Sequence, residues 1–145
     1  MKRLFLILMI VCLLRVIGVY STMLNDHAFS GAGLTEHAAK AEGYKVIVGE
    51  AGSPNRHPGG MKGMVPLKVK LVFEAGSQIL LGGQAVGAKS AGELINAISA
   101  CILHRMTADD IATFQTGTHP GLTASPITYQ LVNAAEMAIL QANNS

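Results

Sequence analysis

Residues 67–86, LKVKLVFEAGSQILLGGQAV, decide the fold class. Leu67, Val69, Leu71 and Phe73 alternate with Lys68, Lys70, Val72 and Glu74, the period-two pattern of a strand with one buried and one wet face. Ala75-Gly76-Ser77 turns the chain, and Ile79 to Val86 returns as the second arm of a hairpin, with Gly82-Gly83 expected at a bulge or a close backbone approach. The next segment is helical. Ser90-Ala91-Gly92-Glu93 has the spacing of a capping box, and Ala91, Leu94, Ile95, Ile98, Cys101 and Ile102 fall on one helical stripe that buries against a sheet or another helix.

Upstream of the hairpin, Thr35 is placed to cap a short helix over 36–42 that Gly43 ends in a left-handed conformation. Tyr44 to Gly49 is a short β-branched run and reads as a strand, whereas Glu50 to Val65 is rich in Gly and Pro and reads as a long connection. Downstream, Thr107 and Asp110 repeat the helix-start signature for a short helix ending near Phe114. Gln115 to Ala124 is a second polar loop, and Ser125-Pro126 opens a last helix through about Gln141. Three or four strands with segregated helices predict an α+β domain: an antiparallel sheet with helices packed on one side.

The chain has 145 residues, the size of one domain; half of them are hydrophobic and 14% are charged, which excludes intrinsic disorder. A formal net charge of +2, with no Lys/Arg block, gives no phosphate-tracking stripe for nucleic acid. Cys12 and Cys101 match neither a disulfide framework nor a CxxC motif. Lys2-Arg3 followed by the apolar run Leu4–Leu14 has the make-up of a signal or anchor, and Val16–Leu24 continues it past Arg15. Residues 1–25 are therefore expected to be a hydrophobic leader, signal-like, anchor-like or non-native, and residues 26–145 the folded domain, entered through the polar, Gly-rich Asn25–Gly33, where Asn25, Asp26, Ser30 and Gly31 are poor strand formers. Membrane attachment through residues 4–24, or export, stays open on this reading.

Chemistry is sparse. Gly82-Gly83-Gln84-Ala85-Val86-Gly87 lacks the GxGxxG spacing and sits in a hairpin arm, so it is no dinucleotide fingerprint. His27, His37 and His104 stand beside no partner at ligand spacing, and no metal site is expected. His57 in Arg56-His57-Pro58-Gly59 and His119 in Thr118-His119-Pro120-Gly121 lie in Pro-stiffened loops, where a histidine can carry a proton, donate to a ligand or merely shape the turn. Cys101 lies on the apolar helical stripe and reads as a small core residue.

Gly33-Leu34-Thr35-Glu36, Arg56-His57-Pro58-Gly59, the hairpin Lys68–Leu71 to Leu81–Gln84, Ser90–Asn96, and Gly117-Thr118-His119-Pro120 through Thr123–Pro126 together resemble one family segment over about residues 28–140. It is similar to the C-terminal dimerisation domain of FAD-dependent pyridine nucleotide-disulfide oxidoreductases, in the NADH oxidase and CoA-disulfide reductase branch. The resemblance implies a cytoplasmic homodimeric flavoprotein whose FAD and NAD(P)H domains precede this one. It also implies that the loop at His119 and Pro120 reaches the flavin and active site of the partner subunit, with the helices at 90–102 and at the C-terminus in the dimer interface. Disulfide reductases of the family carry a Glu five residues after the His, which orients the imidazole as an acid/base catalyst; Ala124 stands there. That departure favours the oxidase-like branch. The chain by itself is expected to bind no cofactor and to have no turnover, as a fragment or subunit. The alternatives are a homodimerising or docking module that completes a separate flavin subunit, and a membrane-anchored non-enzymatic derivative.

Overall fold

The computed structural model describes residues 17–57 and 60–144. Five strands form one sheet: β1 (Val19–Leu24), β2 (His27–Gly33), β3 (Val46–Pro54), β4 (Pro66–Glu74) and β5 (Leu80–Gly87), in the order β1-β2-β5-β4-β3 with every pair antiparallel. Among the described residues four helices accompany it: α1 (Glu36–Ala41), α2 (Ala91–Leu103), α3 (Ala108–Ala112) and α4 (Gln130–Asn143). The α+β class and the antiparallel sheet hold.

The hairpin of β4 and β5 occupies the middle of the sheet, so its pattern organises the core. Leu67, Val69, Leu71 and Phe73 are buried on the face that carries α2 and α4, against Ile95 and Ile98 of α2 and Leu131, Ala134 and Ala138 of α4. α3 adds Ile111 to the same cluster. Gly83 faces this layer, and an added Cβ would lie 2.7 Å from Ile98 Cγ2. Its neighbour Gly82 faces the other way, where an added Cβ would lie 1.9 Å from the Leu34 carbonyl oxygen. Both expectations for the glycine pair are met, because a β-bulge also shifts the register here: Val72 faces Gly82 and Phe73 faces Leu80, leaving Leu81 over.

Leu34 leads into α1, which therefore lies on the sheet face opposite α2 and α4. Packing on one side is true of α2, α3 and α4, and six-residue α1 is the exception. α1 begins as its sequence predicts, with the Thr35 side chain accepting from Ala38 N, and the chain leaves it through Gly43 at φ +87°. Glu36 pins it to the sheet: its carboxylate takes hydrogen bonds from Lys40 at 2.6 Å and Lys70 at 2.8 Å. Lys70 also lies 3.3 Å from Glu50.

The Lys40 and Lys70 hydrogen bonds lower the Glu36 pKa from its ordinary 4.5 to about 2. A carboxyl whose folded pKa is depressed stabilises the fold fully above its unfolded pKa, and that contribution is lost as pH falls through the folded value. Stability should therefore fall between about pH 4.5 and pH 2 through this group, by at most about 1 kcal/mol because the pair is partly exposed. Glu36→Gln should flatten that part of the profile. Denaturant melts of both chains across the window check it.

The structure corrects several expectations. First, the sheet begins at Val19, inside the stretch assigned to the leader, and β1 pairs along its whole length with β2, from Val19 opposite Ala32 to Leu24 opposite His27. Residues 1–16, with Cys12 and the Leu4–Leu14 run, lie outside the described residues. Second, Asn25–Gly33 is polar and Gly-rich, a composition that argues against regular structure, yet His27–Gly33 is a strand. Its small residues are what α2 requires beside it: Ser30 Oγ donates to Ala91 O at 2.9 Å and to Ala85 O at 3.3 Å, while Ala28 and Ala32 are buried. Close packing here overrides strand propensity.

Third, β3 runs on to Pro54 and shortens the expected 50–65 connection to 55–65. Pro54 is tolerated because β3 is an edge strand. Fourth, Ser90 and Glu93 form no capping box. Ser90 is already helical at φ −62°, ψ −14°, so its hydroxyl does not reach the first-turn donors, and Glu93 accepts from Asn96 instead. The Thr107–Asp110 box does form, with Asp110 N donating to Thr107 Oγ1 and Thr107 N to Asp110 Oδ2. At the last helix, Ser125 makes no cap; Pro126–Thr128 is a 3-10 turn and α4 starts at Gln130.

Candidate functional site

The polar loop between α3 and the 3-10 turn winds tightly around His119. Leu122 N and Thr123 N both donate to His119 O at 3.0 Å, and His119 N donates to Thr123 Oγ1 at 3.1 Å. Gly121 N donates to the ring, 3.1 Å from Nδ1. Residues 121–123 thus engage the backbone and one ring nitrogen of His119, while the residue and Pro120 stay exposed. Nε2 has no partner among the described residues.

Pro120 O accepts from His57 N at 3.1 Å, which fastens this loop to the connection between β3 and β4. That connection has its own braces. Asn55 N donates to Val65 O, Val65 N returns to Asn55 Oδ1 at 2.8 Å, and Arg56 Nη1 donates to Lys62 O at 3.0 Å. The two His-Pro segments, separate in sequence, therefore meet at one end of the sheet. The family resemblance singles out His119 and gives His57 no role; the signal that could have paired them is the repeated His-Pro-Gly. Pro58 and Gly59 lie outside the described residues.

Behind the loop an open cleft of about 270 Å³ is lined by Asn55, Ser90, Glu93, Ala124, Tyr129 and Gln130, among others. Ala124 is 4% exposed, so only a buried methyl group stands at this wall of the cleft. Gln130 is buried too, and its amide N–H donates to Ser53 Oγ at 2.7 Å, tying α4 to β3. Burial raises the pKa of the Tyr129 hydroxyl above its ordinary value.

The remaining sequence candidates stay apart. His27 is on β2, His37 on α1 and His104 at the end of α2; the described residues contain no group of three side chains able to hold a metal. Cys101 is buried, and desolvation raises its thiol pKa, which keeps it protonated and unreactive. A dinucleotide does not fit the glycine-rich stretch: Gly82 is closed by the Leu34 backbone and Gly83 by Ile98, so neither leaves backbone free to approach a pyrophosphate. No helix among the described residues is long and apolar enough to cross a membrane.

An exposed apolar row runs along the C-terminal helix, the element that the family resemblance puts in the dimer interface. Asn133, Met137 and Leu140 of α4 succeed one another at helical spacing, and Asn133 Nδ2 donates to Ile127 O at 3.1 Å, which sets Ile127 at the head of the row. Ile127, Met137 and Leu140 are 84%, 49% and 54% exposed. Leu122, next to the His-Pro turn, is also exposed.

A family described as the pyridine nucleotide-disulphide oxidoreductase dimerisation domain matches residues 19–128. Among curated proteins, the dihydrolipoyl dehydrogenase of Chlorobaculum parvum is 35% identical over 77% of this chain and 22% of its own length. The NADH oxidase of Methanocaldococcus jannaschii is 27% identical over 63% of this chain and 20% of its own. The chain thus spans about a fifth of the length of these relatives. Among solved structures, an NAD-dependent persulfide reductase from A. fulgidus superposes with a TM-score of 0.79 at 26% identity, over 89% of this chain and 23% of that one.

Proposed function

The chain belongs to the family of pyridine nucleotide-disulphide oxidoreductase dimerisation domains, and from that membership we propose that it is the self-associating part of an FAD-dependent NAD(P)H oxidoreductase of the NADH oxidase and disulfide reductase type. By this reading it works in the cytoplasm, binds no cofactor unaided and has no turnover alone, because the parts that hold FAD and NAD(P)H lie elsewhere. His119 and Pro120 then serve the neighbouring subunit, reaching toward its flavin.

The observation that carries the reading is the exposed apolar row of Ile127, Met137 and Leu140, with the His119–Pro120 turn exposed as well. A two-fold interface applies the same patch from both copies. Burying these three side chains against their symmetry mates removes an apolar surface from water and brings each copy's His-Pro turn close to the boundary with the other.

Sedimentation of the purified full chain should show a dimer. Met137→Asp should weaken it at least about tenfold, as expected for an anchor at an interface centre, while the melting temperature of the isolated fold changes little. Flavin absorbance and NADH consumption should both be at background. A folded chain that stays monomeric, or one that carries FAD and turns over NADH, would overturn the reading.

A further inference from the structure

We propose that His119 is a fixed hydrogen-bond donor: the Gly121 N–H holds its ring in the Nε2–H form, and the ring offers that hydrogen to an acceptor atom across the subunit boundary. The place of His119 at that boundary rests on the function proposed above. The form of the ring rests on the turn itself.

A neutral imidazole has one N–H and one lone pair, so the partner of one nitrogen determines the role of the other. Gly121 N lies 3.1 Å from Nδ1 with its hydrogen directed there, and an N–H can be received only by a lone pair. The ring proton is therefore on Nε2. A histidine backed by a carboxylate has the reverse arrangement, with Nδ1 donating and Nε2 left as a base. Here no carboxylate touches the ring among the described residues, and the position five residues on is the buried methyl of Ala124. The two nitrogens have exchanged roles, and a proton acceptor becomes a donor.

The turn is built to hold this form. His119 O takes two backbone N–H groups and His119 N gives to Thr123 Oγ1, so the main chain of the turn is fixed with the Gly121 N–H in reach of the ring. Gly121 and Thr123 are positioning residues in this scheme. Space does not demand glycine at 121, where an added Cβ would sit in ordinary contact, 3.5 Å from His119 Cε1. Its backbone N–H is the functional group, and any residue except proline supplies one.

Nitrogen chemical shifts of the His119 ring, read in the labelled full chain at a pH where the imidazole is neutral, test this directly. The ratio of the Nε2–H to the Nδ1–H form should exceed that of an unconstrained histidine ring by up to about tenfold, the factor one net hydrogen bond of ordinary strength supplies. Gly121→Ala should keep that ratio, and Gly121→Pro should return it toward an unconstrained ring. A wild-type ring protonated at Nδ1 overturns the proposal, whether or not the proline variant folds. So does a ratio that Gly121→Pro leaves unchanged in a folded chain. Neither outcome depends on whether the chain dimerises, so this failure is separable from failure of the functional reading.

Discussion

Gly49→Ala should cost at least about 3 kcal/mol, a large share of the stability of a domain this size. Gly49 is on β3 opposite Leu71, where α4 crosses the sheet, and an added Cβ would lie 1.7 Å from Ala134 O and 2.7 Å from Ala138 N. Those are backbone atoms of a helix. Relief requires α4 to move outward by more than an ångström, which would open the contacts of Leu131, Ala134, Ala135 and Ala138, all buried. It would also pull Gln141 Oε1 from Val48 N, now 2.7 Å apart, and so uncover the outer edge of β3. Denaturant unfolding with circular dichroism measures the loss; a change below about 1 kcal/mol would show that the helix is free to shift. Gly76→Ala is the control, since an added Cβ there meets nothing within 4 Å.

Phe73→Ala should cost about 3–5 kcal/mol, the range for removing a fully buried aromatic ring. The side chain has no exposed surface and stands at the register shift, paired with Leu80 where β5 bulges. Neither strand can close the void, because β4 and β5 are central and pinned by neighbours on both sides. Phe73→Leu should cost less than half as much, since most of the volume remains. Thermal melts of the three chains order them. Equal losses for Ala and Leu would mean that ring shape, rather than filled volume, sets the stability.

Much of the fold is legible where a short period repeats. The alternation in 67–73 and the stripe from Ala91 to Ile102 each result from a single element burying one face, and a face repeats in sequence at the element's own period. Caps are legible only in part. Thr107 and Asp110 form their box because Thr107 has the extended backbone that a cap needs, whereas Ser90 has the same side-chain spacing on a helical backbone, and no sequence spacing reports that difference. The strands β1 and β2 are hidden for another reason. Ala28, Ser30, Gly31 and Ala32 are small to let α2 and the Tyr20 ring come close, so the residues that make the strand possible are those that argue against one in isolation.

Local pattern and ordered motifs were enough for the α+β class, the antiparallel hairpin at its centre, the buried role of Cys101, the absence of a dinucleotide fingerprint and the family. Three-dimensional placement of the backbone was needed to start the sheet at Val19, to bring the two His-Pro segments together through His57 N and Pro120 O, and to aim the Gly121 N–H at Nδ1 of His119. Each of these is a hydrogen bond or a close approach between groups that no periodicity relates. A local pattern can say which side chains favour burial, and it cannot say which N–H will face which lone pair.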